Sequence, residues 1–138
     1  MNGNGKRVLV VEDDADAGLL LSTLLDQIGY NVLQVCDGTH ALLELNKRRF
    51  DVVIADYSMP SICGMELLNP MRARGLKTPV ILVSGMSANI SSVDKGLRPF
   101  AWLRKPYEGS ALLDLVSVAS HIAARSGHED PTAVAASR

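Results

Sequence analysis

Only two cysteines, Cys36 and Cys63, occur in 138 residues, with no Cys-x-x-Cys and no histidine at ligand spacing. Neither a disulfide framework nor a zinc site is supported, so small core or loop positions are the expected roles. A charge excess is missing too: 14 Lys and Arg against 15 Asp and Glu leave a net charge of −1. Nucleic acids and anionic membranes reward a basic surface, so neither is an expected partner. No apolar stretch approaches about eighteen residues, and the opening MNGNGKR lacks the apolar centre of a signal peptide. A cytoplasmic protein is expected. The length suits one domain, which at this size can bury about 68% of the unfolded chain's surface. That domain is expected over residues 1–125. From 126 to 138, SGHEDPTAVAASR has no sustained periodicity and reads as a flexible tail, far too short for a helix-turn-helix output module.

What the chain does have is a series of short apolar runs: VLVV (8–11), VLQV (32–35), VVIA (52–55), VILV (80–83) and AWL (101–103). Strands covered on both faces read this way. Helical patterns lie between them. Ala17, Leu20, Leu21, Leu24, Leu25 and Ile28 form one apolar stripe, with Gly29 placed to end it. A second helix opens after Asp37, a predicted N-cap, and carries Ala41, Leu42 and Leu45. A third carries Gly64, Leu67, Leu68 and Met71, with Pro70 inside it as an expected kink. A last one carries Leu112, Leu115, Val116, Ala119, Ile122 and Ala123. The alternation predicts an α/β fold, a five-stranded parallel sheet with helices on both faces. Only a short, labile helix is expected over residues 87–95, where Ile90 and Val93 are β-branched and Gly96 and Pro99 follow.

In such a sheet, ligands bind beyond the carboxyl ends of the strands, where the strand order reverses. Glu12 and Asp13 follow the first apolar run, Asp56 the third, Ser84 the fourth, and Arg104, Lys105 and Pro106 the fifth. With strand order 2-1-3-4-5, Asp13 and Asp56 face each other across the reversal, flanked by Ser84 and Lys105. Carboxylates crowded there repel one another unless a hard cation is held between them, and their oxygen donors suit Mg²⁺. One lysine and one hydroxyl beside that cation would serve a phosphoryl group, with Asp56 as its covalent acceptor. Each residue also has a plainer reading. Glu12 and Asp13 could cap a helix, as Asp14 and Asp16 are expected to do; Asp56 could sit in a turn; Lys105 could mark a strand exit. Their joint placement at the ends of the right strands favours the functional reading. His40, His121 and His128 are scattered and read as surface residues.

The motifs VVEDD, DVVIADYSMP followed by Gly64, VILVSG and LRKP together resemble the receiver domain of two-component response regulators, the single-domain chemotaxis type included. The match runs from about Lys6 to Ala124 and implies the flavodoxin-like receiver fold. By resemblance, Asp56 accepts a phosphoryl group from a histidine kinase or a histidine phosphotransfer protein. Asp13 and Asp56 then hold Mg²⁺, with Glu12 acting mostly through water and the backbone carbonyl of Ser58 as a further ligand. Ser84 and Lys105 bind phosphoryl oxygens, and the Lys105–Pro106 peptide is cis. Trp102 stands where the family has a switch aromatic that turns inward as Ser84 moves, although a plain core tryptophan on the fifth strand fits equally well. The implied output is a downstream protein bound on the face of the fourth helix, fifth strand and fifth helix, with homodimer formation left open.

Departures from the family pattern carry expectations of their own. Ser58 and Met86 stand two residues after Asp56 and Ser84, where neither side chain can act as a strong base toward water, so slow self-dephosphorylation is expected. Pro99 and Phe100 replace the family's usual Gly-Ala before the fifth strand. The expected role is a phosphoacceptor signalling switch with at most weak autophosphorylation and autodephosphorylation, not an enzyme. A Mg²⁺-dependent aspartyl phosphatase would need a second acid where Ser58 stands. A nucleotide or flavin module would need a Gly-rich turn after the first strand, which is absent. A pseudo-receiver scaffold that is never phosphorylated is the remaining alternative, against which the intact Asp56, Ser84 and Lys105 argue.

Overall fold

The computed structural model describes residues 3–56, 64–85 and 99–125. Among them are β1 (Arg7–Val11), α1 (Ala15–Asp26), β2 (Asn31–Val35), α2 (Gly38–Lys47), β3 (Val52–Asp56), α3 (Gly64–Ala73), β4 (Val80–Ser84), β5 (Ala101–Arg104) and α4 (Gly109–Arg125). The helix expected over 87–95 and the tail expected over 126–138 lie outside the described residues, as do Ser58, Cys63, Met86 and His128.

The strands pair in parallel, in the order β2-β1-β3-β4-β5. The continuous apolar runs have a direct cause: β3 and β4 are buried at every residue, because helices cover both faces of the sheet. Side chains alternate between the two faces. Leu9, Val11, Val53, Ala55 and Leu82 pack on one side with Leu45 of α2 and Leu68 and Met71 of α3. Val8, Val10, Ile54, Ile81 and Val83 pack on the other with Leu21 and Leu25 of α1 and Leu112 and Val116 of α4. Each such fully buried aliphatic side chain contributes about 1.5–3 kcal/mol, so the doubled core is the main source of stability.

The helix ends follow local chemistry. Asp14 caps α1, its Oδ1 accepting from the backbone N–H groups of Asp16 (3.0 Å) and Ala17 (3.3 Å). Helix α1 stops at Asp26 with Gln27 as its C-cap, slightly earlier than its apolar stripe suggested, and Gly29 turns the chain two residues further on at φ 98°. Asp37 caps α2 as expected, its Oδ1 accepting from the His40 N–H at 2.8 Å. Helix α3 runs on through Pro70 to Ala73.

After α3 the chain returns to β4 through a clamp. Nη1 of half-buried Arg72 donates to the carbonyl oxygens of Leu76 (2.7 Å) and Thr78 (3.0 Å), and Thr78 is itself buried. Truncation to Arg72→Ala leaves both acceptors without this donor. A loss of about 2 kcal/mol is expected, read as a lower urea midpoint at unchanged m-value.

Candidate functional site

Register and alternation together build the site. In the β1–β3 pair Val11 stands opposite Ala55, so the next rung sets Glu12 beside Asp56. Asp56 pairs with Val83 and Ser84 pairs with Arg104, so Ser84 and Lys105 each lie one residue further along their strands. Glu12 continues the face of Val10, Asp56 that of Ile54 and Lys105 that of Leu103, all on the α1 and α4 side. Three charged side chains therefore converge on one hollow.

The distances show how that convergence is tolerated. Glu12 and Asp56 are each 8% exposed and Ser84 is 3% exposed, a depth at which unpaired carboxylates would be strongly unfavourable. Lys105 Nζ donates to Asp56 Oδ2 at 3.0 Å and stands 3.9 Å from Glu12 Oε1. Glu12 Oε2 accepts the backbone N–H of Asp14 at 3.2 Å. Asp13, exposed at the rim, brings a carboxylate oxygen within 4.8 Å of those of Glu12 and Asp56. The predicted Glu12, Asp13, Asp56 and Lys105 thus come together, with Ser84 buried at the adjoining strand end. The donor set of the three acids is entirely oxygen and suits a hard divalent cation. Ser58 lies outside the described residues, and the Lys105–Pro106 peptide is cis.

The protonation equilibria carry the imprint of this crowding. Burial pushes the Glu12 carboxyl above its ordinary value of 4.5; the Asp14 N–H opposes that, the Asp56 charge adds to it, and Lys105 opposes it. Burial works against the Lys105 charge, but the hydrogen bond and attraction from Asp56, joined by Glu12, outweigh it and raise this ammonium. A raised acid stabilises the fold below its unfolded value and loses that contribution as pH climbs through its folded value. Ionised Glu12 is thus a net cost to the metal-free domain at neutral pH. In EDTA, Glu12→Gln is expected to melt higher than the parent at neutral pH, the gap closing as pH falls toward 4.5.

Trp102 pairs with Leu82 and packs, half-buried, against the core on the α2 and α3 side. Tyr107 is a residue the sequence reading missed. Its half-buried ring joins Glu12, Asp56 and Lys105 in lining a cavity of about 40 Å³. Burial raises its phenol, Lys105 opposes that, and Glu12 and Asp56 reinforce it, so the hydroxyl stays protonated. The one available signal was an aromatic two residues beyond Lys105.

The family model for the response regulator receiver domain matches residues 8–117. The chain belongs to that family. The receiver domain is 33% identical over 107 residues to the transcriptional regulatory protein TcrA of Mycobacterium tuberculosis, an alignment covering 75% of this chain and 42% of the relative. Chemotaxis response regulator CheY4 of Vibrio cholerae superposes with a TM-score of 0.73 at 29% identity, covering 83% of this chain and 98% of that one. Response regulator TrrA of Thermotoga maritima, solved in complex with Mg²⁺–BeF, gives 0.75 at 27% identity, with 83% and 98% covered. The chain spans under half the length of the curated relatives it matches, TcrA and the 35%-identical Regulator of RpoS of Escherichia coli included. Among the described residues, no helix of the receiver domain is long and apolar enough to cross a membrane.

Proposed function

We propose that this receiver domain is a phosphoacceptor switch, in which Asp56 takes a phosphoryl group from a histidine kinase or a histidine phosphotransfer protein. The observation that carries the reading is the 3.0 Å contact of Lys105 Nζ with Asp56 Oδ2 inside a cluster of three carboxylates at the strand-order reversal. A carboxylate oxygen of Asp56 attacks phosphorus, the bond to the donor's leaving group breaks, and an acyl phosphate results. Lys105 neutralises oxygens of the transferred group, and the Ser84 hydroxyl at the next strand end donates to another. Asp13, Glu12 and Asp56, with the Ser58 carbonyl, would hold Mg²⁺, which when bound screens the acids and the charge that develops on the phosphoryl oxygens.

The added charge, about −1.5 to −2, is read out by a partner protein on the surface that includes β5 and α4. Trp102 reports the change from β5 as Ser84 is drawn toward the phosphoryl group. The lack of a strong base at Ser58 and Met86 favours a long-lived acyl phosphate, and the cytoplasm, where such donors reside, is the proposed compartment. Acetyl phosphate with Mg²⁺ tests the reading. One phosphoryl mass per chain and an altered Trp102 fluorescence are expected. A chain that gains no mass, and whose fluorescence ignores beryllofluoride with Mg²⁺, would instead be a scaffold.

A further inference from the structure

A second group of donors stands at the end of β2, outside the phosphoacceptor hollow. Cys36 follows the strand, Asp37 caps α2, and His40 lies in the first turn of that helix. Cys36 and His40 stand four residues apart, a spacing from which no zinc site was expected, and the turn from strand into helix gathers them with Asp37. One donor atom from each, a sulfur, a carboxylate oxygen and an imidazole nitrogen, lies within 4.8 Å of the others. Cys36 Sγ is 3.7 Å from Asp37 Oδ2, and His40 Nδ1 is 2.8 Å from Asp37 Oδ1.

We infer that Cys36, Asp37 and His40 form a binding site for a borderline transition-metal cation of the Zn²⁺ type. Metal bonds of about 2.3 Å to sulfur and about 2.0–2.1 Å to nitrogen and oxygen set neighbouring tetrahedral ligands about 3.3–3.6 Å apart. The donor atoms, one from each residue and all within 4.8 Å of one another, reach that spacing by side-chain rotation, with His40 Nδ1 exchanging its contact with Asp37 Oδ1 for the metal. The backbone that carries the donors is already held. The Val35 carbonyl accepts the Glu12 N–H at 3.0 Å, the Asp37 carbonyl accepts the Ala41 N–H at 3.1 Å, and Asp37 Oδ1 accepts the His40 N–H. This leaves Oδ2 on the side of the thiol. Cys36 is exposed and the His40 side chain is 60% exposed, so solvent reaches the fourth position. Three protein ligands and one open position are characteristic of accessible zinc sites. Ligand chemistry separates this site from the acidic hollow: Mg²⁺ takes the all-oxygen set of Glu12, Asp13 and Asp56, whereas thiolate and imidazole select Zn²⁺ or Co²⁺.

The probe is Co²⁺ titrated into the full, reduced chain with excess Mg²⁺ present, read by the thiolate-to-cobalt charge-transfer band in the near ultraviolet. One equivalent per chain is expected, displaceable by Zn²⁺. Cys36→Ser should abolish the band, and His40→Ala should weaken binding by at least about tenfold. Cys63→Ser and Asp13→Asn should leave both band and affinity unchanged. Absence of the band in the parent, its persistence in Cys36→Ser, or its loss in Cys63→Ser or Asp13→Asn overturns the assignment. Circular dichroism of each variant shows that the fold survives, so a lost band reports the ligands.

Discussion

Asp56→Asn protein is expected to take up no phosphoryl group from acetyl phosphate and Mg²⁺ under conditions that label the parent fully. The amide oxygen is a poor nucleophile and cannot form the acyl phosphate, so the loss should reach background, not a fraction of the parent rate. The fold should survive it. The amide side chain is nearly isosteric with the carboxylate it replaces, and Lys105 keeps the Glu12 carboxylate 3.9 Å away as a partner. Removing one of two buried negative charges also relieves the repulsion that contributes to raising Glu12. Thermal unfolding in EDTA should therefore be no lower than the parent's. Intact-protein mass spectrometry reads the labelling. Retained labelling would transfer the acceptor role to another carboxylate, with the rim residue Asp13 the first to examine.

Lys105→Ala should slow phosphoryl uptake by about a hundredfold or more, the usual cost of removing one preorganised donor from charge developing in a transition state. The geometry makes this variant informative in two directions. In the resting domain the same ammonium sits 3.0 Å from Asp56 Oδ2 and so competes with any cation that the acids could bind. Its removal is thus expected to tighten Mg²⁺ binding while slowing chemistry. Opposite signs of these two effects cannot arise from simple misfolding. Lys105→Arg is not expected to restore the rate, because a planar, forked guanidinium cannot occupy the place of a compact point charge held against two carboxylates. A Mg²⁺ titration and a labelling time course on the same preparation check both arms. A parent-like rate would remove Lys105 from the mechanism.

Most of the architecture was legible because buried parallel strands leave an apolar signature that few other structures share. The residues at strand ends were less so. Arg7 and Asn31 open β1 and β2, while Asp56, Ser84 and Arg104 close β3, β4 and β5, extending strands beyond their apolar runs. Ladder hydrogen bonds set those limits, and they take no account of side-chain polarity. The gathering of Glu12, Asp13, Asp56, Ser84 and Lys105 could be anticipated because each closes a strand or follows one within two residues. Tyr107 could not, since its place depends on how the segment after β5 packs over the hollow. The proximity of Cys36 to His40 escaped for a related reason. Four-residue ligand spacing holds within a helix, whereas Cys36 precedes the cap, and only the angle between β2 and α2 decides what it meets.

The acids of the site lie at the ends of β1 and β3, both interior strands, while Lys105 extends β5, a four-residue strand at the sheet's border. Segments at a border open with little free energy, whereas central ones open only in global unfolding. The carboxylate pair is therefore as durable as the domain itself, and the lysine alone can come and go on a faster clock. Amide hydrogen exchange should accordingly resolve the hollow into a slow half and a fast half.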